Sequence, residues 1–145
     1  MQTKTELALE RFDNGFNCAQ SVFSVFCEKY GLDLEMGLRL AGGLGGGARC
    51  GSICGAASGA VLVIGLQNGH CKKGDLAARD ACNAKTIAFL DAFRAKNGAV
   101  DCREILGVDL TNLEGQAEFA RRNLKQTVCC DMIRSAVAIL EAQNY

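Results

Sequence analysis

Residues 54–66 read CGAASGAVLVIGL, a stretch that is apolar on every side and belongs either to a buried helix or to a buried strand. A strand buried on both faces begins with β-branched bulk. Here Gly55, Ala56, Gly59 and Ala60 come first, at spacings of four. Small residues one helical turn apart let a neighbouring helix approach closely, so the stretch reads as a central helix. The rest of the chain agrees with an all-α fold. It has no proline and 17 glycines, so helices run uninterrupted and glycine, asparagine and aspartate make the corners. Residues 5–12 form an opening helix closed by Asn14 and Gly15. A second helix starts at Asn17 and carries Val22, Phe23, Phe26 and Tyr30 before Gly31 stops it, and a weaker turn covers 33–40. A long helix over 75–96 turns Leu76, Ile87, Leu90 and Phe93 inward and ends at Asn97 and Gly98. A short helix follows Asp101, and residues 115–142 are helical with a break near 123–127. No repeat or low-complexity linker divides the chain. The expectation is one compact domain over 1–145, a helical bundle whose central small-residue helix is preceded by a glycine-rich loop.

The chain has 145 residues, 49% of them hydrophobic, which suffices for one core. Its 16 acidic and 16 basic residues balance, so no broad basic footprint points to nucleic acid, and a small molecule or a protein is the expected partner. Residues 1–15 mix charges with leucines and lack the apolar core of a secretion signal, so the expected compartment is the cytoplasm and the expected mature start lies at or near Met1. The most apolar run, 56–66, is far shorter than the roughly 18 residues of a membrane span. Nine cysteines, an odd number without a secretion signal, argue against a structural disulfide framework. They are buried small hydrophobes, redox thiols or metal ligands, and the first of these readings takes most of them.

Four cysteine positions stand out against the helix starts. NCAQ at 17–20 has Asn17 as N-cap and Gln20 three residues on, which makes Cys18 the first helical residue. DCRE at 101–104 repeats the pattern around Cys102. Ser52 caps the central helix with Cys54 in its first turn, and in TVCC at 127–130 Thr127 caps a helix with Cys129 and Cys130 just inside it. Unpaired N–H groups and the positive end of the helix dipole favour a thiolate at such places. Nine cysteines among several helices also produce some coincidences of this kind. Cys54 is the thiol expected to be most activated, since the glycine run over 42–51 bares its helix end, with Cys18 or Cys102 as its resolver.

The same residues carry a family resemblance. Cys54-Gly55-Ala56-Ala57-Ser58-Gly59, after the glycine run and before an apolar helix, resembles the CGAxxG signature of the redox-active C-GCAxxG-C-C family. Gly15-Phe16-Asn17-Cys18-Ala19 is similar to that family's G-[YF]-N-C-A start, and Cys102-Arg103-Glu104-Ile105-Leu106-Gly107 to its CRELLG segment. Cys129 or Cys130, ahead of Ile133, Ala136 and Leu140, completes the set. The resemblance implies a small helical protein acting in redox chemistry through Cys18, Cys54, Cys102 and one of Cys129 and Cys130. Cys27, Cys50, Cys71 and Cys82 lie outside that signature.

The favoured function is dithiol/disulfide exchange or electron transfer with a partner protein or a small thiol. No CxxC is present, and an all-α chain lacks the setting of a thioredoxin fold. The alternative is a zinc or iron–sulfur site held by Cys18, Cys54, Cys102 and Cys129. It has two possible additions: Cys50 one helical turn before Cys54, and His70 beside Cys71. A third reading is a non-catalytic interaction protein, including a homodimer packed through Gly55 and Gly59. Residues 42–47 have the glycine spacing of a phosphate loop, but Ala48 and Arg49 stand where Lys and Ser/Thr are needed, so nucleotide binding is not expected. Arg49 is instead a candidate positive charge near Cys50 and Cys54.

Overall fold

In the computed structural model, which describes residues 1–145, the chain opens with α1 (Lys4–Asp13), started by a capping box between Thr3 and Glu6. The second capping box forms as expected. Asn17 Oδ1 accepts the Gln20 N–H at 2.8 Å, and Gln20 Oε1 accepts the Asn17 N–H at 2.9 Å, so α2 (Cys18–Ser24) begins at Cys18. That helix is shorter than its apolar periodicity suggests. It stops at Ser24 and gives way to a 3-10 turn, Glu28–Tyr30, before Gly31 takes φ 75°. Here α3 (Leu34–Leu40) packs closely, and a Cβ on Gly37 would run into Cys27 Sγ.

The 54–66 stretch is helical, as α4 (Gly55–Asn68), and lies at the centre, with Ala56, Ala57, Ala60, Val63 and Ile64 buried. Its small residues serve the approach of α2: a Cβ on Gly59 would lie 2.6 Å from the Ala19 carbonyl oxygen. The long helix α5 (Leu76–Asn97) is capped by Asp75 and ended by Gly98 at φ 85°. Its expected inner face is only half correct. Phe89 and Phe93 are buried, but no residue of 76–88 is, and Leu76 and Ile87 are 58% and 59% exposed. Periodicity marks one face of this helix, but α4 and α8 cover only its C-terminal part.

After α6 (Cys102–Leu106) and α7 (Leu113–Arg121), Asn123 takes φ 51° and makes the break expected near 123–127. The helix that follows starts with a π turn, Lys125–Cys129, and runs without interruption into α8 (Cys130–Ala142). The core joins Phe23 of α2, Phe26, Ile64 of α4, Phe89 and Phe93 of α5, and Ile133 and Leu140 of α8, all essentially solvent-free. Each such side chain contributes about 1.5–3 kcal/mol by burial. The fold is all-α, with one isolated antiparallel bridge between Ile53 and Asp101. No helix is long and apolar enough to cross a membrane.

Candidate cysteine-lined site

The glycine run does more than turn a corner. Gly46, Gly47, Ala48 and Arg49 all lie in the left-handed region, at φ 63°, 64°, 56° and 60°. They make a single left-handed turn closed by the Ser52 N–H donating to the Gly47 carbonyl at 2.9 Å. Ala48 and Arg49 hold that conformation at a cost of about 1–2 kcal/mol each. Gly47 is confined as well, since a Cβ there would collide with the Ser52 carbonyl oxygen and stand 2.8 Å from Cys102 Cβ.

Beyond this turn the backbone is briefly extended and pairs with residues 100–102. The Cys54 N–H donates to the Val100 carbonyl at 2.8 Å and the Cys102 N–H to the Ser52 carbonyl at 2.7 Å. This two-bond clamp, flanking the Ile53–Asp101 bridge, sets Cys54 at the start of α4 beside Cys102 at the start of α6. Cys18 joins them because Gly55 leaves room: a Cβ on Gly55 would lie 3.1 Å from Cys18 Cβ. Cys129 arrives from the π turn ahead of α8 and faces the same cavity as Cys18.

Cys18, Cys54, Cys102 and Cys129 thus line one cavity of about 220 Å³. Phe12, Ile105, Leu106, Leu110, Phe119 and Met132 supply its apolar wall, and Arg49 and Lys125 bring positive charge to it. All nine cysteines are free thiols. Cys130, which neighbours Cys129 in sequence, does not line the cavity; its thiol donates to Gln126 Oε1 at 3.5 Å. Geometry therefore separates the two members of the TVCC pair.

Burial and neighbouring groups shift these four thiols in different directions. Burial pushes the Cys54 thiol up to about 11, although the N–H groups of Ala56 and Ala57 favour its anion. Cys102 is pushed up to about 12 by burial and by the neighbouring Cys54 and Cys129, with Arg49 as a partial offset. Cys129 is lowered, first by the neighbouring Cys18 thiol and then through the Lys125 ammonium, against the cost of its own burial. Cys18 is raised well above the ordinary range by its interaction with Cys129 and by burial. The two thiols titrate as a pair, which gives up one proton more readily than the second.

Three expected caps are absent. Ser52 does not cap α4, whose N-cap is Cys54 itself, because Ser52 belongs to the extended clamp. Asp101 makes no side-chain cap for α6. The Thr127 hydroxyl donates back to the Asn123 carbonyl at 3.1 Å, since the helix has already begun, and Cys129 sits inside a continuous helix instead of at its start. Cys50 lies in the exposed left-handed turn, its thiol donating to the Gly47 carbonyl at 3.4 Å, so it is not one helical turn below Cys54. His70 and Cys71 are exposed and do not line the cavity. The Arg103 side chain pairs with Asp109 at 3.4 Å. No group of three or more Cys, His, Asp or Glu side chains is arranged so that it could hold a metal ion. Lys125 escaped the sequence reading. Its signal was its place one helical turn before Cys129.

Residues 16–143 match the model of the family described as Putative redox-active protein (C_GCAxxG_C_C). No curated protein and no solved structure matches the chain.

Proposed function

This chain belongs to the C_GCAxxG_C_C family of redox-active proteins, and we propose that it exchanges disulfides through Cys129 and Cys18. The observation that carries this reading is that both thiols line one largely apolar cavity, with Cys129 shifted toward its anion and Cys18 away from it. In the first step the Cys129 thiolate attacks one sulfur of a substrate disulfide. A mixed disulfide forms, and the other substrate sulfur leaves as a thiolate that takes up a proton. Cys18 then attacks Cys129 Sγ as its proton passes to the second substrate sulfur, which leaves as a thiol. The protein gains one disulfide and loses two thiol hydrogens, while the substrate disulfide is reduced to two thiols. Cys54 and Cys102, held protonated by burial, line the site and keep it dry without competing as nucleophiles.

Anaerobic incubation of the reduced full chain with a small disulfide, followed by acid quenching, alkylation and peptide mapping, tests this reading. The expected product is a single Cys18–Cys129 disulfide that an excess of dithiol reverses. Predominant pairing of Cys54 with Cys102, or scrambled pairs, contradicts it.

A further inference from the structure

The cavity also restricts what can enter it. Its volume of about 220 Å³ exceeds the roughly 150 Å³ of an engineered apolar cavity that takes benzene, and lies below the roughly 300–1,000 Å³ of pockets for drug-sized ligands. The lining combines aromatic and aliphatic side chains with four cysteine sulfurs. No Asp or Glu lines it, while two cations do. Neither Arg49 nor Lys125 takes part in any ion pair of the protein. Lys125 Nζ stands 4.9 Å from the centroid of the Phe12 ring, itself part of the wall. The Arg49 guanidinium lies over Gly46, where a Cβ would come within 2.7 Å of Nη1. Its backbone is held left-handed to put it there.

From this arrangement we propose that the cavity seats a small organic acid: an apolar body of about the bulk of a phenylalkyl group against Phe12, Leu106 and Phe119, with its carboxylate between Arg49 and Lys125. Cations without acidic partners beside an apolar hollow offer such an anion both charge complementarity and a place to bury its body. An organic cation is opposed there by both Arg49 and Lys125. That this acid is one arm of the disulfide attacked by Cys129 rests on the exchange reaction proposed above. The substrate class is then a small disulfide with an apolar acidic arm, in preference to a protein disulfide.

Titration of the reduced full chain at neutral pH and low salt with 3-phenylpropionate, 3-phenylpropan-1-ol and 3-phenylpropylamine tests the seat without any redox step. The carboxylate is expected to bind about tenfold more tightly than the alcohol, the equivalent of about 1.4 kcal/mol, and the amine more weakly than either. Arg49→Gln and Lys125→Gln should each reduce the carboxylate's advantage and together remove it. Unchanged affinity for the alcohol in these variants shows that the cavity itself is intact. Equal or tighter binding of the amine, or no binding of any of the three, overturns the proposal. Failure of the exchange reaction leaves the binding order unaffected, and loss of the binding order leaves the Cys18–Cys129 pairing unaffected, so the two ideas fail separately.

Discussion

Cys54 and Cys129 face the same cavity from two kinds of backbone. Cys54 stands at the N-terminus of α4, with two backbone N–H groups favouring its anion, and is nevertheless raised to about 11. Cys129 lies inside a continuous helix, where no helix end assists it, and is lowered. The difference lies in side-chain neighbours. The Cys18 thiol and the Lys125 ammonium favour the Cys129 anion, whereas around Cys54 burial outweighs the backbone dipoles. A helix start is thus not sufficient to activate a buried thiol; a donor or charge close to the sulfur decides.

This contrast is broken most severely by exchanging the two sulfurs for oxygen. Cys129→Ser is expected to slow reduction of a small disulfide by at least about 100-fold, since a hydroxyl without a base is a poor nucleophile, while Cys54→Ser stays within a few-fold of the native rate. Single-turnover release of the substrate thiol measures both. An equal loss in the two variants would make the cavity cysteines one unit and erase the distinction.

The next effect concerns the clamp that sets Cys54 beside Cys102. Gly47→Ala places a methyl group against the Ser52 carbonyl and 2.8 Å from Cys102 Cβ, at φ 64°. The expected cost is about 2–4 kcal/mol in chemical denaturation. A loss below about 0.5 kcal/mol would mean that the left-handed turn relaxes freely, since exposed substitutions without structural consequence fall in that range.

A smaller effect sharpens the electrostatic side. The Cys54 thiol keeps its proton in the folded state up to about 11, whereas its ordinary value is 9.0. Between these limits the unfolded chain binds fewer protons than the folded one, so this residue's contribution to stability is complete below pH 9 and is lost as the pH rises toward 11. At pH 10 the loss is about 1.4 kcal/mol. Comparing native protein and Cys54→Ala at pH 8 and pH 10 isolates it: the variant should lose that much less stability over the interval. Parallel losses would show that Cys54 is not held neutral.

Much of the architecture was legible because it is local. The 17–20 capping box needs only Asn17 and Gln20, and the helical reading of 54–66 rested on small residues whose purpose, contact with Ala19, the fold displays. The four signature cysteines, too, were identified as candidates before their meeting at one cavity was visible. What escaped was non-local. The pairing of 52–54 with 100–102 consists of two hydrogen bonds and one bridge, too little to leave a strand pattern in sequence. The exposure of Leu76 and Ile87 depends on how far α4 and α8 extend, which the periodicity of α5 does not encode. The choice of Cys129 over Cys130 follows from the start of the helix at Leu124 in place of Thr127, which turns one sulfur to the cavity and the other to Gln126.

The proposed exchange reaction requires Cys129, assisted by Cys18 and Lys125, to be the reactive thiol of the cavity. Brief alkylation of the reduced native chain with a small neutral reagent at pH 7.5, chased with an isotopically heavy reagent after unfolding, reads the reactivity of each cysteine in one experiment. Among Cys18, Cys54, Cys102 and Cys129, the account predicts that Cys129 is labelled first and that Cys18→Ala slows its labelling. Labelling of Cys54 ahead of Cys129 would contradict it and return the activity to the helix start.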